Sequence, residues 1–279
     1  MVTLAALWTI SLSSILSGTS LPIFPTLNLD KNTNLSAKYS YQEAAFSDKN
    51  SSFILHNRYA ISLQVYSTTE WLILVNQQPT FVVKDLANAA IAATKLSAIM
   101  NAPDFEPKYL QPIEEGDRYV GKYVGKDKDE ILFAIPKADH VNPSLKLTQW
   151  INNLRVAAGV EPLTLVEAQK QMHQLAATGE RIDGLASWYG PYFQGRQTAS
   201  GEIFEQQDFT AAHPSLPFNT YLKVTNLQNG KSVVVRINDR GPYFGDRNLD
   251  LSHAAAIALK SDEAGVVPIS ATVLVSSIN

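Results

Sequence analysis

The chain has 279 residues, enough for two domains of ordinary size, with a formal net charge of −3 and no cysteine. A near-neutral charge without basic runs leaves no electrostatic footprint for nucleic acid. The missing cysteines exclude disulfides, thiolate metal sites, a cysteine nucleophile and a lipid-modified N-terminal cysteine.

Leu4 to Ser17 is an apolar run. Its length suits the core of a signal peptide better than a bilayer span, which needs roughly 20 apolar residues. No Lys or Arg precedes Lys31, so the usual basic start is missing. Residues 1–27 therefore read as an export signal or membrane anchor, with a buried N-terminal helix as the alternative. Residues 28–57 are polar, lack apolar periodicity and read as a linker.

Residues 58–178 read as a small α+β domain. Ile61, Leu63 and Val65 alternate with polar residues, the mark of a half-buried strand. Trp71–Val75 and Thr80–Val83 are two more strands, joined by a hairpin connection at Asn76–Pro79. Asp85 is placed to cap a helix that carries Leu86, Ala89, Ala93, Leu96 and Met100 on one face. Tyr119–Val124 and Glu130–Ile135 are further strands. Pro143 opens a second helix, which Gly159 ends. A third helix runs from Leu165 to about Ala177. Nothing here converges on chemistry, and Trp150 and His173 read as helix-face residues. Thr178–Gly184 reads as a polar boundary.

From Leu185 the pattern changes to short strands at Leu185–Tyr189, Phe209–Ala212, Tyr221–Thr225, Ser232–Ile237 and Thr272–Ser276. Asn229-Gly230 is a strong hairpin signal, and Ser252 is placed to cap a helix over His253–Leu259. Short strands and tight turns at this density suggest a small closed barrel. Polar and ionisable residues sit beside Gly or Pro at its strand junctions: Ala186-Ser187-Trp188-Tyr189-Gly190, Thr198-Ala199-Ser200-Gly201-Glu202, Thr210-Ala211-Ala212-His213, and Asn238-Asp239-Arg240-Gly241-Pro242 with Asp250-Leu251-Ser252 behind. Apolar packing does not call for acids and an imidazole at such places.

With Phe193-x-Gly195-Arg196, Leu216-Pro217 and Val224-Thr225-Asn226 between them, these motifs in this order resemble the rare lipoprotein A (RlpA) family over residues 184–279, about a third of the chain. The resemblance implies a six-stranded double-psi β-barrel, hence a mainly β chain whose barrel follows the α+β domain. It implies an exported protein of the periplasm or cell envelope. The implied activity is that of a lytic transglycosylase cutting the MurNAc–GlcNAc bonds of peptidoglycan glycan strands. An expansin-like module that binds or loosens the wall without cutting is the alternative. Two departures stand out. Gln194 occupies a place where the family often has His, and the lipobox cysteine is missing, so a lipoprotein is not expected. No further peptidoglycan-binding domain is expected after the barrel.

Glycosidic cleavage passes through an oxocarbenium-like state and needs a proton delivered to the leaving oxygen. A lytic transglycosylase then uses the substrate's own C6 hydroxyl in place of water, so one carboxyl group can serve first as acid and then as base. Asp239, fixed by a Gly-Pro turn, is the leading candidate, with Glu202, His213 and Asp250 around it. Each has a structural alternative. Asp239 could close an Asx turn or pair with Arg240, Asp250 could face a helix N-terminus, Glu202 could be a solvated turn residue, and His213 could be purely structural. Thr198, Ser200 and Arg240 are expected to bond sugar groups. Trp188, Tyr189 and Tyr243 offer flat faces for sugar stacking, Trp188 sharing that role with the core. No metal site, cofactor or nucleic-acid partner is expected: no H-E-x-x-H occurs, and Ser200 lacks a G-x-S-x-G setting. The N-terminal domain is left for envelope or division partners.

Overall fold

The computed structural model describes residues 58–277 apart from 127, 140 and 141, together with a two-residue strand, β1 (Ile10–Ser11). The expected export signal and linker otherwise lie outside the described residues. No helix among the described residues is long and apolar enough to cross a membrane.

The first unit opens with a meander of β2 (Ile61–Val65), β3 (Glu70–Val75) and β4 (Gln78–Lys84), with β1 paired to β2. Asn76 and Gln77 form the connection at φ 51° and 66°, the left-handed pair a two-residue hairpin requires. The strand thus resumes at Gln78, ahead of the expected start. Asp85 accepts a hydrogen bond from the Asn88 amide at 2.8 Å and caps α1 (Leu86–Met100). A second meander follows: β5 (Leu110–Glu115), β6 (Arg118–Val124) and β7 (Asp129–Pro136). Pro143 opens α2 (Pro143–Ala157), and a Thr164/Glu167 capping box opens α3 (Leu165–Met172). The three helices and both meanders enclose a single apolar core. There Phe81, Phe133 and Trp150 form an aromatic cluster, with 4.4 Å between the two Phe rings.

The third helix is shorter than its apolar pattern suggests. Gln174 turns to φ 52°, and the chain re-enters as β8 (Leu175–Trp188). Thr178–Gly184, expected as a boundary, is the middle of that strand. It pairs along most of its length with β13 (Val267–Ser276). Residues 176–181 are exposed, so no apolar alternation marks them as a strand.

The barrel closes in the order β10-β11-β9-β12-β8-β13, with β9 (Thr210–Ala212), β10 (Tyr221–Asn226), β11 (Ser232–Asp239) and β12 (Arg247–Leu251). Two parallel pairs, β11 with β9 and β12 with β8, meet where β12 runs antiparallel to β9. This is the expected double-psi arrangement of six strands. The inward residues Leu222, Val224, Val233, Val235, Ile237 and Leu251 fill the interior, and α4 (His253–Leu259), capped by Ser252, packs over it.

A buried glutamine joins the two units. Gln169 of α3 donates to the Val234 carbonyl and accepts from the Val234 amide, both at 2.8 Å. β9 pairs with β11 only from Arg236 onward, so the Gln169 amide completes the ladder where no strand reaches.

Candidate active site

Asp239 ends β11 at the barrel rim, just past an irregularity in the pairing with β9. One carboxylate oxygen accepts from the backbone amides of Ala199 and Arg240, each at 2.8 Å, and the other accepts from the Tyr189 hydroxyl at 2.9 Å. Three donors from three segments therefore fix its direction. The Arg240 guanidinium takes no part. It lies 3.8 Å from the centre of the Phe218 ring and donates to the His213 carbonyl.

Asp250 is brought alongside by β9, because Ala212 is the register partner of both Asp239 and Asp250. One inter-strand spacing on each side sets their Cα atoms roughly 10 Å apart. Asp250 accepts from the Ser187 hydroxyl and, at 2.9 Å, from Arg247. Gly241, at φ 130°, lets the chain pass. A Cβ there would stand 3.8 Å from both Asp250 Oδ2 and the Tyr243 ring, and the backbone angle itself suits only glycine.

Glu202 is held differently. Its two oxygens accept from the two terminal nitrogens of Arg236 at 2.7 Å, and Asn238 adds a bond at 3.1 Å. The Arg236 hydrogen bonds hold the carboxyl below the usual range against the opposing effect of burial. Glu202 thus borders Asp239 through Asn238 while its charge faces the space between the two units. The loop between them is tied down as well. Ser200 donates its amide to the Asn238 carbonyl, and the Thr198 and Ser200 hydroxyls lie 3.0 Å apart.

The backbone amide of His213 bonds the Asp239 carbonyl at 3.2 Å. Its Nδ1 accepts from the amides of Ser215 and Leu216 at 3.1 and 3.0 Å. Two donors on Nδ1 require it to be unprotonated, so the neutral ring carries its proton on Nε2. Burial, with the nearby Arg240 charge, lowers the pKa and favours that neutral form.

Aromatic rings surround this rim. Tyr189 sits 5.3 Å from Phe193 and 4.9 Å from Phe204, and Tyr192 stands edge-on to Phe193 under the Arg196 guanidinium. Tyr192, Tyr243 and Phe244 are each at least 70% exposed, a large apolar area to leave in water unless something covers it. Trp188 does not join them. Its neighbours along the strand, Ser187 and Tyr189, reach the two acids, and alternation turns Trp188 the other way. There it donates to the Asp262 carbonyl and stacks on His253. Among the described residues no cluster of ligand-type side chains could hold a metal ion.

The structure therefore gathers Asp239, Asp250, Tyr189 and the backbone of His213 at one rim, and places Glu202 on its border. Arg236, Ser187 and Arg247, which hold the acids, carry no role in the sequence reading. A charged residue inside the β-branched run Val233–Ile237 was the one available signal for Arg236.

A family model described as lytic transglycolase matches residues 181–271. The chain is similar to a protein of Synechocystis named probable endolytic peptidoglycan transglycosylase RlpA, 42% identical over 233 residues, covering 75% of this chain and 70% of that protein. It is similar to the endolytic peptidoglycan transglycosylases RlpA of Campylobacter jejuni, 50% identical with 34% of each chain covered, and of Pseudomonas aeruginosa, 54% identical with 32% and 26% covered. The match thus spans about a third or less of those two relatives. Among solved structures it is similar to a Streptomyces papain inhibitor, with 23% identity, 34% of this chain and 94% of that one covered and a TM-score of 0.29. A Clavibacter michiganensis expansin gives 26% identity, 36% and 52% coverage and a TM-score of 0.29.

Proposed function

Because this chain belongs to the RlpA family, we propose that it is an endolytic peptidoglycan transglycosylase, cleaving MurNAc–GlcNAc bonds within glycan strands and leaving 1,6-anhydro ends. The observation that carries the reading is the aimed carboxylate of Asp239, set among exposed aromatic rings beside a second acid. Asp239 gives its proton to the glycosidic oxygen and then takes one from the C6 hydroxyl as that oxygen closes on C1. Glu202, kept ionised and held in place by Arg236, positions the sugar from the border of the rim as a hydrogen-bond acceptor. Asp250, pinned by Ser187 and Arg247, is the second acid beside Asp239. His213 offers an Nε2 proton to an oxygen of the sugar or its acetamido group. Tyr189, Tyr243 and their neighbours present faces for the C–H side of the rings, and Ser200 and Arg240 stand at the edge as hydrogen-bonding groups, while the buried Thr198 hydroxyl bonds the Glu202 carbonyl and braces the loop. The substrate lies outside the cytoplasm, so the protein is exported to the periplasm or envelope.

Purified sacculi digested with the protein and analysed by mass spectrometry test this reading. Anhydro-ended glycans are expected. Asp239→Asn, which keeps the shape and loses the proton, is expected to lower their release by about 10²–10⁴-fold with an unchanged melting temperature. Reducing ends would mean water is the nucleophile, and no cleavage at all would leave a wall-binding module.

A further inference from the structure

The space between the two units is a cavity of about 770 Å³, inside the range of roughly 300–1,000 Å³ typical of small-ligand sites. The barrel supplies Glu202, Asp208 and Arg236 to one wall, and the N-terminal unit supplies Tyr119, Lys137 and His173 to the other. Most charges in it are matched within their own wall. Glu202 pairs with Arg236, while Glu114 pairs with Lys137 and, at 2.6 Å, with His173. Burial alone would raise the Glu114 pKa, but the His173 and Lys137 hydrogen bonds overcome it and bring it to about 2. The His173 ring lies 4.9 Å from Tyr221 and 6.5 Å from Tyr119, adding aromatic surface to these paired charges.

Two acids of the lining have no cation beside them. Glu205 accepts from the Gln194 side chain and the Gln207 amide. Asp208 is half-buried, and among the described residues its carboxylate takes no hydrogen bond and no ion pair. Burial, reinforced by Glu205, raises its pKa. A lining with an excess of acid, aromatic faces and one acceptor left open turns away anions and suits an uncharged ligand rich in hydroxyl and amide donors. Glu202 belongs both to this cavity and, through Asn238, to the rim at Asp239. A strand lying across Asp239 would therefore meet the cavity at Glu202.

We propose that this cavity is a distal glycan subsite, in which the N-terminal unit holds acetamido-sugar rings of the strand being cut. Asp208 accepts a hydrogen bond from a hydroxyl or amide of the ligand, and Tyr119 lies against a ring. The assignment rests on the reading of the barrel as a glycan-cleaving site. It gives residues 58–174 a direct part in choosing long strands over short ones.

The test uses the full chain carrying Asp239→Asn, so that binding is read without cutting. Peptide-free glycan strands of about four and about eight sugars are titrated by calorimetry. The longer strand is expected to bind about tenfold more tightly, a gain of about 1.4 kcal/mol. Asp208→Ala is expected to bring eight-sugar binding down to the four-sugar value. Ala138→Trp, which fills the cavity from its exposed edge without removing a side-chain bond, is expected to do the same. Equal binding of both lengths, or a length preference that survives both variants, overturns the subsite. So does a parallel loss of four-sugar binding in both variants. The sacculus digest separates the two readings: anhydro ends from the native chain with no length preference remove the subsite alone, whereas no product and no binding remove both.

Discussion

Arg236 stands in a strand whose neighbours Val235 and Ile237 point into the barrel, and its guanidinium reaches outward to both oxygens of Glu202. A bidentate pair of this kind fixes geometry as well as charge. Replacing Arg236 with Met removes the main groups that hold the Glu202 carboxyl down, and what remains is the burial that raises it against the smaller opposing effect of the Asn238 hydrogen bond. With its folded pKa lowered, Glu202 is ionised through the neutral range and loses its charge only when acid overtakes that lowered value. In Arg236→Met the protonation moves to higher pH. The acid limb of kcat/KM against pH is therefore expected to shift upward, with activity at neutral pH falling less than it does in Asp239→Asn. A pH profile of glycan cleavage from about pH 3.5 to 8 reads this directly. Glu202 and Asp239 were legible in the sequence because Gly or a Gly-Pro turn stands beside them, and Asp250 through the motif it belongs to. Their holders were less so, since Arg236 lies 34 residues from Glu202 and Arg247 lies 60 from Ser187. Strand alternation announces that a side chain faces outward but not what it meets there.

Among the elements, α3 shows how a local signal and a tertiary contact divide the work. Thr164 and Glu167 start it with a capping box that the sequence spells out. Its end comes early, because the residues after Met172 are drawn into the pairing with β13. Helical periodicity in Leu175 and Ala177 could not reveal that competition. β5 was missed for a related reason: Pro112 and the Glu114-Glu115 pair break the alternation of an otherwise short strand. β12, with Arg247, Asn248 and Asp250 among its residues, likewise shows no apolar run. Gln169 on α3 is 3% exposed and spends its whole amide on Val234. Truncating it to Ala leaves a buried N–H and a buried C=O without partners, at about 1–3 kcal/mol for each group. Gln169→Ala is thus expected to cost roughly 2–6 kcal/mol, seen as a lower urea midpoint. The loss falls on the junction between the units, so fluorescence of Trp71 and Trp150 in the first unit and Trp188 in the barrel should cease to report a single transition.

Across the whole molecule, the way the two units are joined decides whether they can act on one ligand. Only His173 and Gln174 separate α3 from β8, and β8 runs unbroken from the junction into the barrel. Leu175, Val234 and Leu274 form a small apolar cluster at that junction, with Val166 of α3 and Tyr221 of the barrel packed against it. A polar, exposed stretch such as Thr178–Gly184 has the composition of a cleavable linker, and by composition trypsin should cut at Arg181. The structure gives the opposite expectation. Arg181 is paired to Thr272 in the ladder, its side chain bonds Asp183 at 2.8 Å, and the free edge beside it is studded with charge. A protease needs several residues of extended, unpaired chain, which here requires opening the β8–β13 ribbon and the junction behind it. Brief trypsin treatment followed by intact mass measurement is therefore expected to show no cut at Arg181, leaving the α+β unit and the barrel on one polypeptide. Early separation at Arg181 into an α+β piece and a barrel piece would mean that the ribbon opens readily, and a cavity built from both units could not then hold a strand in register with Asp239.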